Sequence, residues 1–253
     1  MAAQIIFMAL LGAVLGSFIS VVAHRLPLGE SIVKPRSRCP ACGTQIAAYD
    51  NIPVLSYLAL RGRCRHCSAR VPVTYPLLEL AMAAAFVGVL LRFPDDLAEI
   101  ALGASFVTTL AAVTVTDLEH RIIPNKILLF SGLVGVVIVV AGLPDSIAER
   151  AIAAGSAFGL LFAVALAYPR GMGMGDVKLA AVMGLYLGRA VAPALIIGFA
   201  AGALVGVGLI MRHGAEARKR AVPFGPFLAL GGLIALFAGD EMVDWYVESF
   251  FEG

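Results

Sequence analysis

The sequence predicts an all-α, polytopic membrane protein of about eight transmembrane helices, with a small zinc-stabilised domain in one cytoplasmic loop. Of its 253 residues, 60% are hydrophobic and 14% are charged, whereas soluble domains are about half apolar and about a quarter charged. The apolar residues form runs of about 20, the length that a helix needs to cross a bilayer. The predicted spans are residues 4–24, 74–91, 97–116, 124–141, 147–167, 176–190, 192–211 and 225–239.

Four regions follow from this pattern. They are a first helix (1–24), a polar loop domain (25–73), a transmembrane core of about seven helices (74–239) and an acidic amphipathic tail (240–253). We expect the first helix to be a retained span and not a cleaved signal peptide, because it lacks a basic start and a convincing cleavage site.

Most of the 19 Lys and Arg residues fall on one side of the predicted bundle, which the positive-inside rule makes cytoplasmic. Both termini then lie outside. We expect the basic face to contact anionic lipid of the bilayer, and we expect no nucleic-acid partner. The basic residues are Arg25, Lys34, Arg36, Arg38, Arg61, Arg63, Arg65, Arg70, Arg121, Lys126, Arg170, Lys178, Arg212, Arg218, Lys219 and Arg220.

All four cysteines lie in the loop domain, as the pairs Cys39/Cys42 and Cys64/Cys67. Two CxxC pairs separated by roughly 20 residues are typical of Zn²⁺ bound by four thiolates. Because four sulfurs leave no open position, the predicted zinc is structural. Two disulfides or one redox-active CxxC are the alternatives, but the reducing cytosol disfavours disulfides.

Asp117 ends one apolar run and Asp176 begins another, at the same predicted membrane face. A carboxylate at the edge of the hydrocarbon is costly and is therefore a functional candidate. If spans three and six pack together, the pair could share one proton, as the two carboxylates of an aspartyl protease do. The alternatives are structural: Asp176 as the N-cap of span six, and Asp117 as a partner of His120 or Arg121.

The neighbours of Asp176 suit a proteolytic site. Gly173 and Gly175 allow a close approach to an extended substrate strand. Lys178 is placed to bind a peptide carbonyl or to act on Asp176, and its alternative role is to anchor span six at the headgroups.

These residues resemble the type IV prepilin leader peptidases, bacterial members of the GxGD aspartyl proteases, and the resemblance covers nearly the whole chain. Ser20 is one departure, since Asn is expected there in many relatives. The matching motifs are residues 16–27, the double CxxC loop with residues 51–57, residues 75–80, Asp117 with Ile123-Pro124-Asn125, Gly173-Met174-Gly175-Asp176-Val177-Lys178, and residues 222–227.

The resemblance implies cleavage of prepilin or pseudopilin leaders after a Gly, at the cytoplasmic face of the bacterial inner membrane. Asp117 and Asp176 would be catalytic, with Gly173, Gly175, Lys178 and Pro124 in support. It further implies N-methylation of the new terminus with S-adenosylmethionine. The methyl-donor site is left unassigned: Glu79 is a candidate, with a snorkelling or loop-paired carboxylate as its alternative role.

Two other functions remain open. One is a GxGD protease without methyl transfer. The other is a transporter that uses intramembrane aspartates, with the cysteines as a metal sensor. Transporters carry polar groups at the bilayer midplane, whereas both aspartates here lie near one face.

Overall fold

The computed structural model describes residues 1–169, 171–213 and 222–251, and these residues form helices and turns with no β-strand. The predicted all-α class is confirmed. The basic residues Arg170, Arg218, Lys219 and Arg220, which the sequence analysis places on the cytoplasmic face, lie outside the described residues. The helices are α1 (Ala2–Arg25), α2 (Leu55–Ala59), α3 (Thr74–Arg92), α4 (Leu97–His120), α5 (Asn125–Gly142), α6 (Ile147–Ala167), α7 (Met174–Leu187), α8 (Val191–His213) and α9 (Gly225–Phe251).

Seven segments of the described chain are long and apolar enough to cross a membrane. The longest, Met174–Arg212, has 39 residues and contains both α7 and α8. At 1.5 Å per residue it would extend for roughly 58 Å, about twice the hydrocarbon thickness. A 3₁₀ turn at Gly188–Ala190 separates the two helices, and Gly188 has a φ of 56°. This segment therefore supplies two crossings, which agrees with the predicted number of about eight.

The chain divides into two compact units, Met1–Asp95 and Asp96–Gly253. In the N-terminal unit, α1 and α3 pack against each other through glycines. A Cβ at Gly12 would lie 2.5 Å from the Met82 carbonyl oxygen, and one at Gly16 would lie 2.9 Å from Glu79 Cα. Helix α3 thus belongs to the same compact unit as α1, although the sequence analysis divides the chain between residues 73 and 74.

The C-terminal unit holds α4 to α9 around the buried helix α7. Val177, Leu179, Ala180 and Met183 of α7 are fully buried in one hydrophobic core. Helix α6 lies against α7, and a Cβ at Gly184 would come within 2.6 Å of the Ala153 backbone. Small residues at such contacts allow helices to approach closely, which is how helices associate in lipid.

Helices α8 and α9 run antiparallel. A Cβ at Gly198 would contact Leu228, and a Cβ at Gly202 would contact Phe224. Residues later in α8 therefore pair with residues earlier in α9. Helix α9 continues without a break through position 240, where the sequence analysis begins the acidic tail.

A buried hydroxyl network fixes α7 against α4 and α5. The Tyr186 hydroxyl donates to the Ser131 carbonyl at 2.8 Å and accepts from the Ser105 hydroxyl at 3.2 Å. The Thr109 and Ser131 hydroxyls are 2.7 Å apart. Because each buried polar group has a partner, the network links three helices without leaving an unsatisfied group in the core.

A second polar contact lies where α4 and α6 begin and α7 ends. Arg150 donates to Glu99 at 2.6 Å and also binds the Tyr186 carbonyl oxygen. Arg189 pairs with Asp240 and Asp244 of α9. These ion pairs fix the end of the unit that is remote from Asp117 and Asp176.

We predict that Gly184→Leu disrupts the contact of α6 with α7. The added side chain would collide with backbone, which cannot move as a flexible side chain can, and overpacking of this kind costs about 1–3 kcal/mol or more. The purified variant should melt several degrees below wild type in a thermal unfolding experiment. Gly155→Leu on α6 is the matched control, since a Cβ there meets nothing within 4 Å. Equal melting temperatures for the two variants would contradict the packing described.

Candidate active site and metal centre

Asp117 lies in the last turn of α4, and its side chain is nearly enclosed, with 6% of the residue exposed. Arg121, in the left-handed conformation with φ 55°, ends the helix one turn later. The Asp117 Oδ2 atom accepts a 2.8 Å hydrogen bond from the Gly225 N–H, which is the first residue of α9. No ion pair joins Asp117 to His120 or Arg121 among the described residues. The carboxylate is therefore held by a helix N-terminus and not by a basic side chain.

Asp176 lies in the first turn of α7 and is 9% exposed. Helix α7 begins at Met174, so Asp176 stands inside the first turn and is not the N-cap residue itself. Its Oδ2 atom accepts the Gly173 N–H at 3.3 Å. The amides of a first turn have no intrahelical partner, and the positive end of the helix dipole favours an anion there.

Asp117 at the end of α4 and Asp176 at the start of α7 lie in the same compact unit. This follows from helix packing, because α4, α7 and α9 contact one another in the C-terminal unit. Both aspartates that the sequence analysis selects thus stand on helices that contact each other. Each carboxylate is largely enclosed, and each accepts one main-chain N–H.

The predicted supporting residues surround the start of α7. A Cβ at Gly175 would lie 3.0 Å from Ile123 Cβ, so glycine lets α7 approach the segment that follows α4. Pro124 caps the start of α5. The Lys178 ammonium donates to Asn125 Oδ1 at 2.9 Å, which ties α7 to α5. Lys178 therefore positions helices in this structure and makes no ion pair with Asp176.

Sequence reasoning assigned no role to Gly225, although it lies in a quoted motif. A main-chain donor has no side-chain signature, which is why it was missed. The sequence does hold a usable signal, since Gly225 precedes Pro226 at a helix start, where proline has no N–H and glycine is the first available donor. A Cβ at this position would lie 2.8 Å from Asp117 Oδ2.

The four cysteines of the N-terminal unit form one cluster, with all Sγ atoms within 4.8 Å of one another. All four are free thiols and not disulfides. The Cys39 and Cys67 sulfurs are 3.7 Å apart, and tetrahedral Zn²⁺ with Zn–S bonds of about 2.3 Å requires sulfurs about 3.8 Å apart. The donor set and its spacing therefore fit zinc.

Two equivalent turns present these sulfurs. The Gly43 N–H donates to the Cys39 carbonyl at 2.8 Å, and the Ser68 N–H donates to the Cys64 carbonyl at 3.0 Å. Both closing residues have positive φ, 70° at Gly43 and 59° at Ser68. Each CxxC pair is thus one tight knuckle, and the left-handed residue turns the chain back after its second cysteine.

The thiols of the cluster differ in acidity. Hydrogen bonding to the Thr44 side chain lowers the pKa of the Cys42 thiol to about 6. For Cys67, the Ala69 N–H acts to lower the pKa, but desolvation and the neighbouring thiols outweigh it and raise the pKa to about 11. Thiolates crowded in this way repel one another, and a dication at their centre would neutralise them.

Glu79 is a buried acid of α3, 7% exposed, whose Oε2 atom accepts the Val54 N–H at 2.7 Å. Val54 has a φ of 61°, which is strained for a β-branched residue. The carboxylate therefore holds the loop before α2 in an unfavourable backbone conformation.

Two family models match this chain in succession. The Bacterial Peptidase A24 N-terminal domain matches residues 10–93, and the Type IV leader peptidase family matches residues 104–207. Together they cover the α1–α3 part of the chain, with its cysteine cluster, and most of the helices that carry the aspartates.

Several proteins named "Prepilin leader peptidase/N-methyltransferase" are similar over most of their length. The one from Burkholderia pseudomallei (strain K96243) is 36% identical over 93% of this chain and 86% of its own. The one from Bacillus subtilis (strain 168) is 34% identical over 94% of this chain and 95% of its own. The one from Aeromonas hydrophila is 34% identical over 95% of this chain and 93% of its own. No solved structure matches the chain. The resemblance inferred from the motifs is confirmed, and the chain belongs to the prepilin leader peptidase/N-methyltransferase family of enzymes.

Proposed function

We propose that this protein cleaves the leader from type IV prepilins or pseudopilins with Asp117 and Asp176, and then methylates the new N-terminus. One observation carries the proteolytic part: two nearly enclosed carboxylates stand on α4 and α7, which contact each other in the C-terminal unit. Family membership supplies the substrate class, because the relatives are named as prepilin leader peptidases.

The pair supports hydrolysis without a metal or a covalent intermediate. An ionised carboxylate takes a proton from water as the water oxygen attacks the scissile carbonyl carbon. The other carboxyl group, protonated, donates to the carbonyl oxygen. When the C–N bond breaks, the leaving amine takes up a proton. The shared proton belongs to the pair and not to either residue.

The surroundings suit an unwound substrate. The segment before α7 contains Gly171, Gly173 and Gly175, whose missing side chains let an extended strand lie close to Asp176. We infer from the resemblance to the type IV prepilin leader peptidases that cleavage falls after a glycine of the substrate.

We also propose that the site faces the cytoplasm of a bacterial inner membrane. Arg121, Lys126 and Lys178 lie in the segments that surround the aspartates, whereas Asp240 and Asp244 lie at the other end of the C-terminal unit. Basic residues favour the cytoplasmic side.

Asp117→Asn and Asp176→Asn should each reduce prepilin cleavage about a thousandfold or more, because the amide cannot exchange the required proton. Each Asn retains an oxygen that can accept from Gly225 or Gly173, so the fold should persist. The measurement is the cleavage rate of a prepilin by purified protein, with melting temperature as a check on folding.

Asp145→Asn is the matched control for the Asn substitutions. Asp145 is exposed in the turn between α5 and α6 and should be dispensable. Near-normal cleavage by either Asp117→Asn or Asp176→Asn would show that the substituted residue is structural and would overturn the two-aspartate mechanism.

Gly225→Ala should reduce cleavage about 10- to 100-fold, because misplacing a catalytic group by about 1 Å can cost a hundredfold. The new methyl group would press on Asp117 Oδ2. Gly206→Ala in α8, where a Cβ meets nothing within 4 Å, should cleave at the wild-type rate. The measurement is the single-turnover cleavage rate of the two variants. A fully active Gly225→Ala protein would contradict the role assigned to the hydrogen bond between Gly225 and Asp117.

We propose that Cys39, Cys42, Cys64 and Cys67 hold one structural Zn²⁺, supported by their sulfur spacing. Cys64→Ser should lose the metal and make the loop sensitive to protease, because so small a domain needs such a cross-link to stay folded. His66→Ala, on the exposed surface of the same knuckle, should retain it. Elemental analysis measures the zinc content of both purified variants. Full zinc occupancy in Cys64→Ser would refute a four-thiolate site.

Methyl transfer with S-adenosylmethionine is the second proposed activity. Its support is the name shared by the relatives, each a peptidase and an N-methyltransferase. Mass measurement of the cleaved pilin, with and without the methyl donor, distinguishes this enzyme from a protease that does not methylate.

A further inference from the structure

The start of α7 carries Asp176, and the residues just before it do little to fix its position. They include Gly171 and Gly173, and glycine restricts the backbone less than any other residue. Their main-chain contact with the helix is local, since the Asp176 N–H donates to the Gly173 carbonyl oxygen at 3.1 Å. The position of the Asp176 carboxylate relative to Asp117 therefore depends on contacts with other helices.

The connector between α4 and α5, residues 121–124, is anchored at both ends. At its start the Arg121 N–H donates to the Asp117 carbonyl oxygen at 2.9 Å, and Arg121 is left-handed, with φ 55°. At its end the ring of Pro124 fixes the backbone, with φ −64°. Asn125, the first residue of α5, thus has a defined place relative to Asp117.

Two contacts join this part of the chain to one face of α7. A Cβ at Gly175 would lie 3.0 Å from Ile123 Cβ. The Lys178 ammonium donates to Asn125 Oδ1 at 2.9 Å. Because Gly175 and Lys178 are three residues apart, they share a face of the helix. Two contact points on one face fix both the rotation of α7 about its axis and its position along that axis.

Lys178 and Asp176 lie on different faces of α7. Residues two apart in an α-helix point in directions that differ by about 200°, and their side chains do not meet. No ion pair joins the two among the residues that the structure describes. Since a rotation of α7 that displaced Lys178 would displace Asp176 by the same angle, Lys178 can act on the carboxylate through the helix and not through its charge.

These contacts give the shortest connection between the two carboxylates on this side of the unit. Asp117 and Asn125 are eight residues apart, Lys178 and Asp176 are two apart, and one hydrogen bond joins the two pieces. We propose that Asn125 is a positioning residue of the peptidase reaction, which sets the place of Asp176 relative to Asp117 by accepting from Lys178. The inference rests on the proposed two-aspartate mechanism and adds the residue that controls the geometry of the pair.

The energies separate positioning from folding. A hydrogen bond of this kind contributes about 0.5–1.5 kcal/mol to stability, and here it lies at the exposed surface, so its loss should leave the fold intact. A displacement of about 1 Å at a catalytic group, in contrast, can cost about a hundredfold in rate. Asn125 and Lys178 should therefore affect cleavage far more than melting temperature.

The test is a double-mutant cycle in full-length protein. Asn125→Leu removes the acceptor and Lys178→Met removes the donor, and each should lower the single-turnover cleavage rate of a prepilin about tenfold with KM unchanged. The double variant should also lose about tenfold, because the second substitution removes nothing further, whereas independent effects would multiply to about a hundredfold. Melting temperatures check that the variants are folded.

Lys126→Met is the matched control, since it removes the same charge from the exposed position next to Asn125 and should cleave at the wild-type rate. A hundredfold loss in the double variant would overturn the proposal. So would wild-type cleavage by Asn125→Leu, whether alone or together with a raised KM in Lys178→Met, which would mean that Lys178 binds the substrate directly.

Asn125→Asp covers the case in which the apolar variants do not fold. The carboxylate keeps an oxygen for Lys178 and strengthens the bond by its charge, so this variant should cleave at a rate close to wild type. A loss as large as that of Asp176→Asn would mean that the reaction requires the unpaired charge of Lys178, and the proposal would fall. If wild type does not cleave prepilin at all, the proposed function falls. If it cleaves and the cycle is additive, only the role of Asn125 falls.

Discussion

The hydrogen bond from the Gly225 N–H to Asp117 is the contact on which the C-terminal unit depends. It joins residues 108 positions apart and fixes the start of α9 against the end of α4. An enclosed carboxylate is costly, and a main-chain donor lowers that cost without supplying a second charge that would neutralise it. The carboxylate is thereby held in place and remains able to exchange a proton.

The N-terminal unit contains a hydrogen bond of the same kind, from a main-chain N–H to a buried carboxylate. Glu79 of α3 accepts the Val54 N–H, as Asp117 of α4 accepts that of Gly225. In both units an acid on an apolar helix binds an amide from a segment distant in sequence. Each acid retains an oxygen for another partner.

Family membership favours an enzyme over the transporter that the sequence alone left open.

The sequence was sufficient to predict the helices and the cysteine cluster, because long apolar runs mark membrane spans and CxxC spacing reflects metal geometry. The catalytic role of the two aspartates stays a prediction. The sequence could not predict the amide of Gly225, the strained φ of Val54 or the contact of Lys178 with Asn125. These depend on which distant segments meet. Helix α9 continues past Asp240, because the composition changes there without a residue that ends a helix.

The lengths of α7 and α9 have a consequence for the surrounding lipid. Helix α7 has 14 residues and spans about 21 Å. Along α9, Gly225 at the carboxylate pair and Asp240 at the Arg189 ion pair are separated by about 22 Å. Both distances fall short of the roughly 30 Å of an undisturbed hydrocarbon layer. Hydrophobic mismatch of this size is relieved by local thinning of the bilayer. The lipid beside α9 would then bring the water surface toward the carboxylates, and hydrolysis requires that water.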